Sequence, residues 1–94
     1  MGSMLIINGR VIDPASGLDA PRDVAVADGR MVAIGTGLPR DPADRVIDAA
    51  GLLVVPGLID PHVHLREPGQ EQKETLESGS KAGAAGGFTT LCCM

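Results

Sequence analysis

Apolar and polar positions alternate in short bursts through the first half of the chain and change character after Pro56-Gly57. Met4 to Asp13 is an apolar, β-branched run with Asn8-Gly9 set into it, and a loop rich in Pro, Gly and Asp follows from Pro14 to Pro21. Val24 to Ala27 and Arg30 to Ile34 then flank Asp28-Gly29. A two-residue type I′ turn needs positive φ at both central positions, which Asp-Gly tolerates, so this stretch predicts a β-hairpin. Both faces of that hairpin carry apolar residues, which predicts a place within a larger β layer rather than on a surface. A polar loop, Pro39 to Arg45, leads to Val46-Ile47 and then to Leu52 to Val55.

Beyond Pro56-Gly57, Leu58 to Arg66 predicts a strand that Glu67-Pro68-Gly69 ends, since Pro supplies no ladder donor and Gly permits a sharp turn. Lys73 to Ala85, rich in Ala, Gly and Ser, predicts a helix stopped by Gly86-Gly87. Gly79 and Gly83 each weaken it by roughly 1 kcal/mol relative to Ala. They share one face, which predicts close packing against a sheet. Phe88 to Met94 reads as a further buried strand. Strand, helix and strand make one βαβ unit with parallel strands. Such a unit cannot bury its own faces, so it belongs to a larger α/β sheet or barrel, and the chain reads as cut off at Met94.

Composition narrows this picture. About a quarter of the residues are Leu, Ile, Val or Phe, enough for a packed core. Phe88 is the one aromatic residue, so that core rests on aliphatic side chains. The net charge of −4 is mild and the basic residues are scattered, which excludes a nucleic-acid surface and a polybasic membrane patch. The run Leu52 to Val55 is far too short to span a bilayer. Met1-Gly2-Ser3 before Met4 reads as a cloning remnant, with no signal peptide behind it. Cys92 and Cys93 are adjacent, and neighbouring strand side chains point to opposite faces. They are expected to be buried thiols in a reducing cytoplasm.

The chemistry lies in Asp60-Pro61-His62-Val63-His64-Leu65-Arg66. Strand alternation puts Asp60, His62, His64 and Arg66 on one face and Pro61, Val63 and Leu65 on the other. Ionisable groups on one side of a strand with apolar groups on its reverse suit the mouth of a β/α barrel. Two imidazoles at this spacing stand about 6.6 Å apart at Cα and can reach one ion at about 2.0–2.1 Å. Zn²⁺ is the first expectation, with Mn²⁺, Co²⁺ and Fe²⁺ as alternatives. Two ligands are fewer than the three a catalytic zinc ordinarily takes. Asp60 either orients a ligand histidine or makes a structural hydrogen bond at the strand start. Arg66 presents a fork that matches a carboxylate, which predicts a substrate anion beside the metal; the competing reading is a salt bridge to Glu67 or Glu71. Glu67 falls on the opposite parity, where a turn role is expected. Glu71 to Glu77 reads as a solvated helix start, with acids favoured near the N-terminus.

Val55-Pro56-Gly57-Leu58-Ile59-Asp60-Pro61-His62-Val63-His64-Leu65-Arg66-Glu67-Pro68-Gly69 resembles the first barrel strand of the dihydroorotase branch of the amidohydrolases. Lys73 to Ala82 and Ala85 to Thr90 resemble the helix and second strand that follow. The resemblance implies an α/β fold: a β-sandwich module over residues 4–55, then the first βαβ unit of a (β/α)8 TIM-type barrel over residues 56–94. It implies that His62 and His64 ligate one or two zinc ions, and that His64, Leu65 and Arg66 contact the substrate, Arg66 through its carboxylate. No general acid or base is expected within these residues. The implied reaction is the reversible hydrolysis of dihydroorotate to N-carbamoyl-L-aspartate in pyrimidine biosynthesis. Zinc would activate water near neutral pH.

Allantoinases and hydantoinase-type enzymes are similar here, but their substrates lack the ring carboxylate that Arg66 would meet. A third reading, from a different class, is a non-catalytic homologue that assembles with aspartate transcarbamoylase. Retention of His62, His64 and Arg66 argues against it. A homo-oligomer or such a complex, without nucleic acid or membrane, is the assembly left open. The 94-residue segment alone is expected to be inactive.

Overall fold

The structure, a computed structural model, describes residues 2–94. It divides into two compact units, one ending at Pro56 and one running from Gly57 to Met94.

The first unit is one five-stranded sheet built on β1 (Ser3–Asp13). β2 (Leu18–Ala27) pairs antiparallel with β1, and β3 (Arg30–Gly35) pairs antiparallel with β2. β4 (Arg45–Asp48) and β5 (Leu53–Val54) both run parallel to β1, beside Met4–Ile7 and Arg10–Val11 respectively. The other edge of β1 is therefore shared end to end by two short strands. Between them β1 carries a bulge: its register with β2 shifts between Ile6 and Gly9, and Asn8 takes a positive φ of 65°. The Asn8 Nδ2 group donates to Asp48 Oδ1 at 3.1 Å, and Ala50 N–H donates to the same oxygen at 3.0 Å. These two donors, Asn8 first, hold the Asp48 carboxyl below its ordinary value.

Alternation survives the bulge. Leu5, Ile7, Gly9 and Val11 are buried, and with Val24 and Ala49 they make the core of this unit. Gly9 is required by closeness: a Cβ there would lie 2.5 Å from Val54 Cγ2 and 3.2 Å from Ala49 Cβ. On the exposed side Arg10 forks onto both oxygens of Asp19, at 2.7 and 2.8 Å.

The Asp28-Gly29 hairpin forms as expected. Ala27 faces Arg30 in the ladder, and Asp28 and Gly29 take φ of 51° and 76°. The described residues of this unit form a single sheet. Two expectations need correction. Pro14 to Pro21 is not all loop, because β2 begins at Leu18 and Pro21 sits opposite Arg10. Pro21 is tolerated there because β3 pairs only with Asp23–Ala27, so the missing N–H faces no neighbour on that side. β3 is the outer strand, and Met31 and Val32 on it are exposed rather than covered.

The second unit is β6 (Leu58–Val63), α1 (Leu76–Ala85) and β7 (Phe88–Cys93), with β6 and β7 parallel. The helix starts at Leu76, not Lys73, because Thr75 is its N-cap. Ser78 N–H donates to Thr75 Oγ1 at 3.0 Å and Thr75 N–H donates to Ser78 Oγ at 2.9 Å, a reciprocal capping box. Gly86 caps the other end and Gly87 turns the chain out at φ 91°. The two helix glycines do admit close neighbours. A Cβ on Gly79 would lie 2.5 Å from Leu65 Cδ2, and one on Gly83 would lie 3.0 Å from Leu91 Cδ1. Cys92 and Cys93 are exposed free thiols, against expectation. β7 pairs with a single strand, and only Phe88 and Leu91 on it are partly covered, Leu91 against Gly83 of α1. Among the described residues, no helix is long and apolar enough to cross a membrane.

Candidate functional site

The expected strand Leu58 to Arg66 ends three residues early, at Val63. Its ladder with β7 is irregular: β6 advances from Asp60 to Val63 while β7 advances from Leu91 to Cys93. One extra residue is thus accommodated around Pro61-His62, where Pro61 has no N–H to give. Asp60 Oδ1 accepts the His62 N–H at 3.0 Å and so satisfies the amide that the bulge displaces. Asp60 therefore holds the backbone of His62 and makes no bond to either imidazole.

The bulge leaves the two imidazoles converging. His62 Nε2 and His64 Nε2 are 3.3 Å apart, with ring centroids at 5.2 Å and planes inclined by 67°. Both rings are exposed. Two nitrogens held about 2.05 Å from one tetrahedral ion are themselves about 3.3 Å apart, so this pair fits a shared zinc through Nε2. Among the described residues no group of three His, Cys, Asp or Glu side chains comes together around an ion. His62 and His64 thus offer two metal-compatible nitrogens, fewer than a complete site among the described residues.

Past Val63 the strand parity no longer governs direction. Leu65 is buried and lies against Gly79 of α1, so its side chain faces the helix and only its backbone is open to a ligand. Arg66 has a positive φ of 64° and is exposed. Its guanidinium has no hydrogen-bond or ion-pair partner among the described residues, and neither Glu67 nor Glu71 neutralises it. Its carbonyl accepts the Gln70 N–H at 2.9 Å, which closes the turn. His64, Arg66, Glu67, Pro68, Gln70 and Met94 line an open recess of about 190 Å³. His64 and Arg66 therefore share one polar hollow, and His62 stands outside its lining, 3.3 Å from His64 between Nε2 atoms.

The two acids beyond Arg66 are engaged locally. Glu71 accepts the Gly69 N–H at 2.9 Å, and backbone donors lower its pKa. Glu67 Oε2 accepts the Leu76 N–H, the first amide of α1, at 2.6 Å. The sequence suggests a turn role for Glu67 or a salt bridge to Arg66; its partner is instead the Leu76 amide nine residues away, outside any capping pattern a local motif would reveal.

Residues 51–94 match the family described as dihydro-orotase-like. The chain is 58% identical over 91 residues to a dihydroorotase of Syntrophotalea carbinolica, covering 97% of this chain and 21% of that protein. It is 57% identical to a dihydroorotase of Solibacter usitatus, again with 97% and 21% covered. Among solved structures it resembles an L-hydantoinase (dihydropyrimidinase) from Arthrobacter aurescens with a TM-score of 0.81 and 33% identity, over 97% of this chain and 20% of that one. A dihydropyrimidinase from Brevibacillus agri also gives 0.81, with 37% identity over 95% and 19%. The chain spans about a fifth of the length of the curated relatives it matches. The fold of this chain is thus shared with cyclic amidohydrolases of the hydantoinase and dihydropyrimidinase kind. Within that class the chain belongs to the dihydroorotase-like family.

Proposed function

We propose that the full-length protein is a zinc-dependent dihydroorotase that interconverts dihydroorotate and N-carbamoyl-L-aspartate. The observation that carries this reading is the 3.3 Å separation of the His62 and His64 Nε2 atoms next to a partner-free Arg66. In this reading His62 and His64 hold the ion through Nε2. Arg66 binds the ring carboxylate with a bidentate fork, which fixes the ring's orientation in the recess it shares with His64. Leu65 contributes its backbone, and its buried side chain anchors the segment. Bound zinc supplies activated water near pH 7 and a polarised amide carbonyl. Asp60 keeps the His62 backbone in place through its amide. The unit from Gly57 to Met94 is read as the first strand–helix–strand step of a (β/α)8 barrel, whose active site gathers at the strand C-termini, where His62 and His64 stand.

The likeness to hydantoinases and dihydropyrimidinases favours a second reading, a cyclic amidase for rings without a carboxylate. Arg66 separates the two, because its open guanidinium fork matches a ring carboxylate that only the first class of substrate carries. The test is turnover of dihydroorotate, hydantoin, dihydrouracil and allantoin by the full-length protein, together with its metal content. Dihydroorotate is expected to be the preferred substrate, with zinc bound in proportion to protein. Preference for a ring lacking the carboxylate would replace the first reading by the second. The isolated 94-residue segment, with two ligands only, is expected to turn over none of them.

A further inference from the structure

Arg66 sits between two attachments to the same helix. On one side Leu65 is 8% exposed and packs where Gly79 leaves room for it. On the other, Glu67 Oε2 accepts the Leu76 N–H at 2.6 Å. Leu76 and Gly79 are three residues apart and so lie on one face of α1. The turn between these attachments is closed by the Gln70 N–H on the Arg66 carbonyl. Arg66 itself takes the left-handed backbone region at φ 64°, which a non-glycine residue adopts only when its surroundings impose it.

We propose that Glu67 is a positioning residue for substrate recognition. Its carboxylate clamps the chain after Arg66 to the first turn of α1 and thereby holds the guanidinium in the recess with His64. The proposal deepens the dihydroorotase reading and rests on it. Glu67 acts as a hydrogen-bond acceptor toward a backbone amide, a task that needs no negative charge and no proton transfer. A carboxylate near the first amides of a helix also gains from the helix dipole, which favours this arrangement over one in which Glu67 turns to Arg66. The pairing with Leu76 leaves Arg66 without an internal partner and free for the substrate's anion.

The experiment uses the full-length protein with dihydroorotate as the probe. The variants are Glu67→Gln, which keeps an acceptor oxygen, and Glu67→Leu, which keeps bulk and loses the acceptor. Glu67→Leu is expected to raise KM for dihydroorotate about tenfold or more while kcat stays within about twofold, because misplacing a binding group costs orientation. Glu67→Gln is expected to keep KM within about threefold of the parent, since the acceptor remains. Amide hydrogen exchange at Leu76 should quicken in Glu67→Leu and stay slow in Glu67→Gln. A loss of kcat in Glu67→Gln would overturn positioning in favour of proton transfer. An unchanged KM in Glu67→Leu would overturn the role while leaving the enzyme reading intact. A parent protein that turns over no dihydroorotate would overturn the enzyme reading and this role with it.

Discussion

Leu5, Ile7, Val11, Val24 and Ala49 are buried in the unit that ends at Pro56, whereas the buried apolar side chain of the unit from Gly57 onward is Leu65. The first unit uses its side chains to close one face of a sheet. The second exposes its ionisable side chains at the end of a strand and uses its few packed contacts to aim them. A bulge serves each unit differently. In β1 the bulge at Asn8 leaves the buried parity intact, while in β6 the bulge at Pro61-His62 brings two rings onto a common point. The same backbone irregularity therefore goes with preserved packing in one place and with two imidazoles brought together in the other.

That contrast can be broken most severely at the rings. Replacing His62 or His64 by Ala in the full-length protein is expected to cost activity on the order of a thousandfold or more, through loss of the activated water. Zinc content should fall while circular dichroism stays unchanged, and a variant that keeps both zinc and activity would refute the assignment. Leu5→Ala, in the other unit, should do the reverse. It is expected to cost about 3 kcal/mol of stability by denaturant titration and to leave metal binding unaltered in the folded fraction. Arg66→Met is expected to raise KM for dihydroorotate about 10- to 100-fold, the worth of a lost charge-assisted pair, with the melting temperature hardly moved.

The smallest effect sharpens the description of the first bulge. Asp48 has a lowered pKa when folded, so its stabilising contribution is present above the ordinary value of 3.8 and disappears as pH falls through the folded value. Asp48→Asn removes that dependence. The stability gap between parent and variant should therefore narrow as melts are taken from about pH 6 down to about pH 3. A constant gap would show that the Asn8–Asp48 link contributes nothing that titrates.

Local chemistry made the Asp28-Gly29 hairpin, the change at Pro56-Gly57 and the converging histidines readable in advance. Each is written in a short stretch: a turn dipeptide, a Pro-Gly break, a His-x-His triplet. What escaped prediction depends on neighbours distant in sequence. Pro21 argued for loop, yet it is in β2 because β3 is too short to need its amide. Alternation in the sequence runs on to Arg66, past the end of the strand at Val63. In the fold β7 offers its last pairing residue at Cys93, and Arg66 turns left-handed three residues past the ladder's end. The start of α1 does have a local signal, since Thr75 and Ser78 are a capping pair that outweighs the helix propensity of Lys73. The grip of Glu67 on Leu76 has no local signature at all.

The kink at Asn8 also governs which length changes the chain tolerates. Because Leu5, Ile7, Gly9 and Val11 all keep odd spacing through it, excising Asn8 would slide everything from Gly9 onward half a period out of phase. Val11 would swing toward water and Arg10 toward Val24's side of the sheet, while the surface stretch from Pro39 to Ala43 could gain or lose a residue with no such inversion. Natural variation in length is thus expected to collect in that outer segment and to spare the hinge in β1.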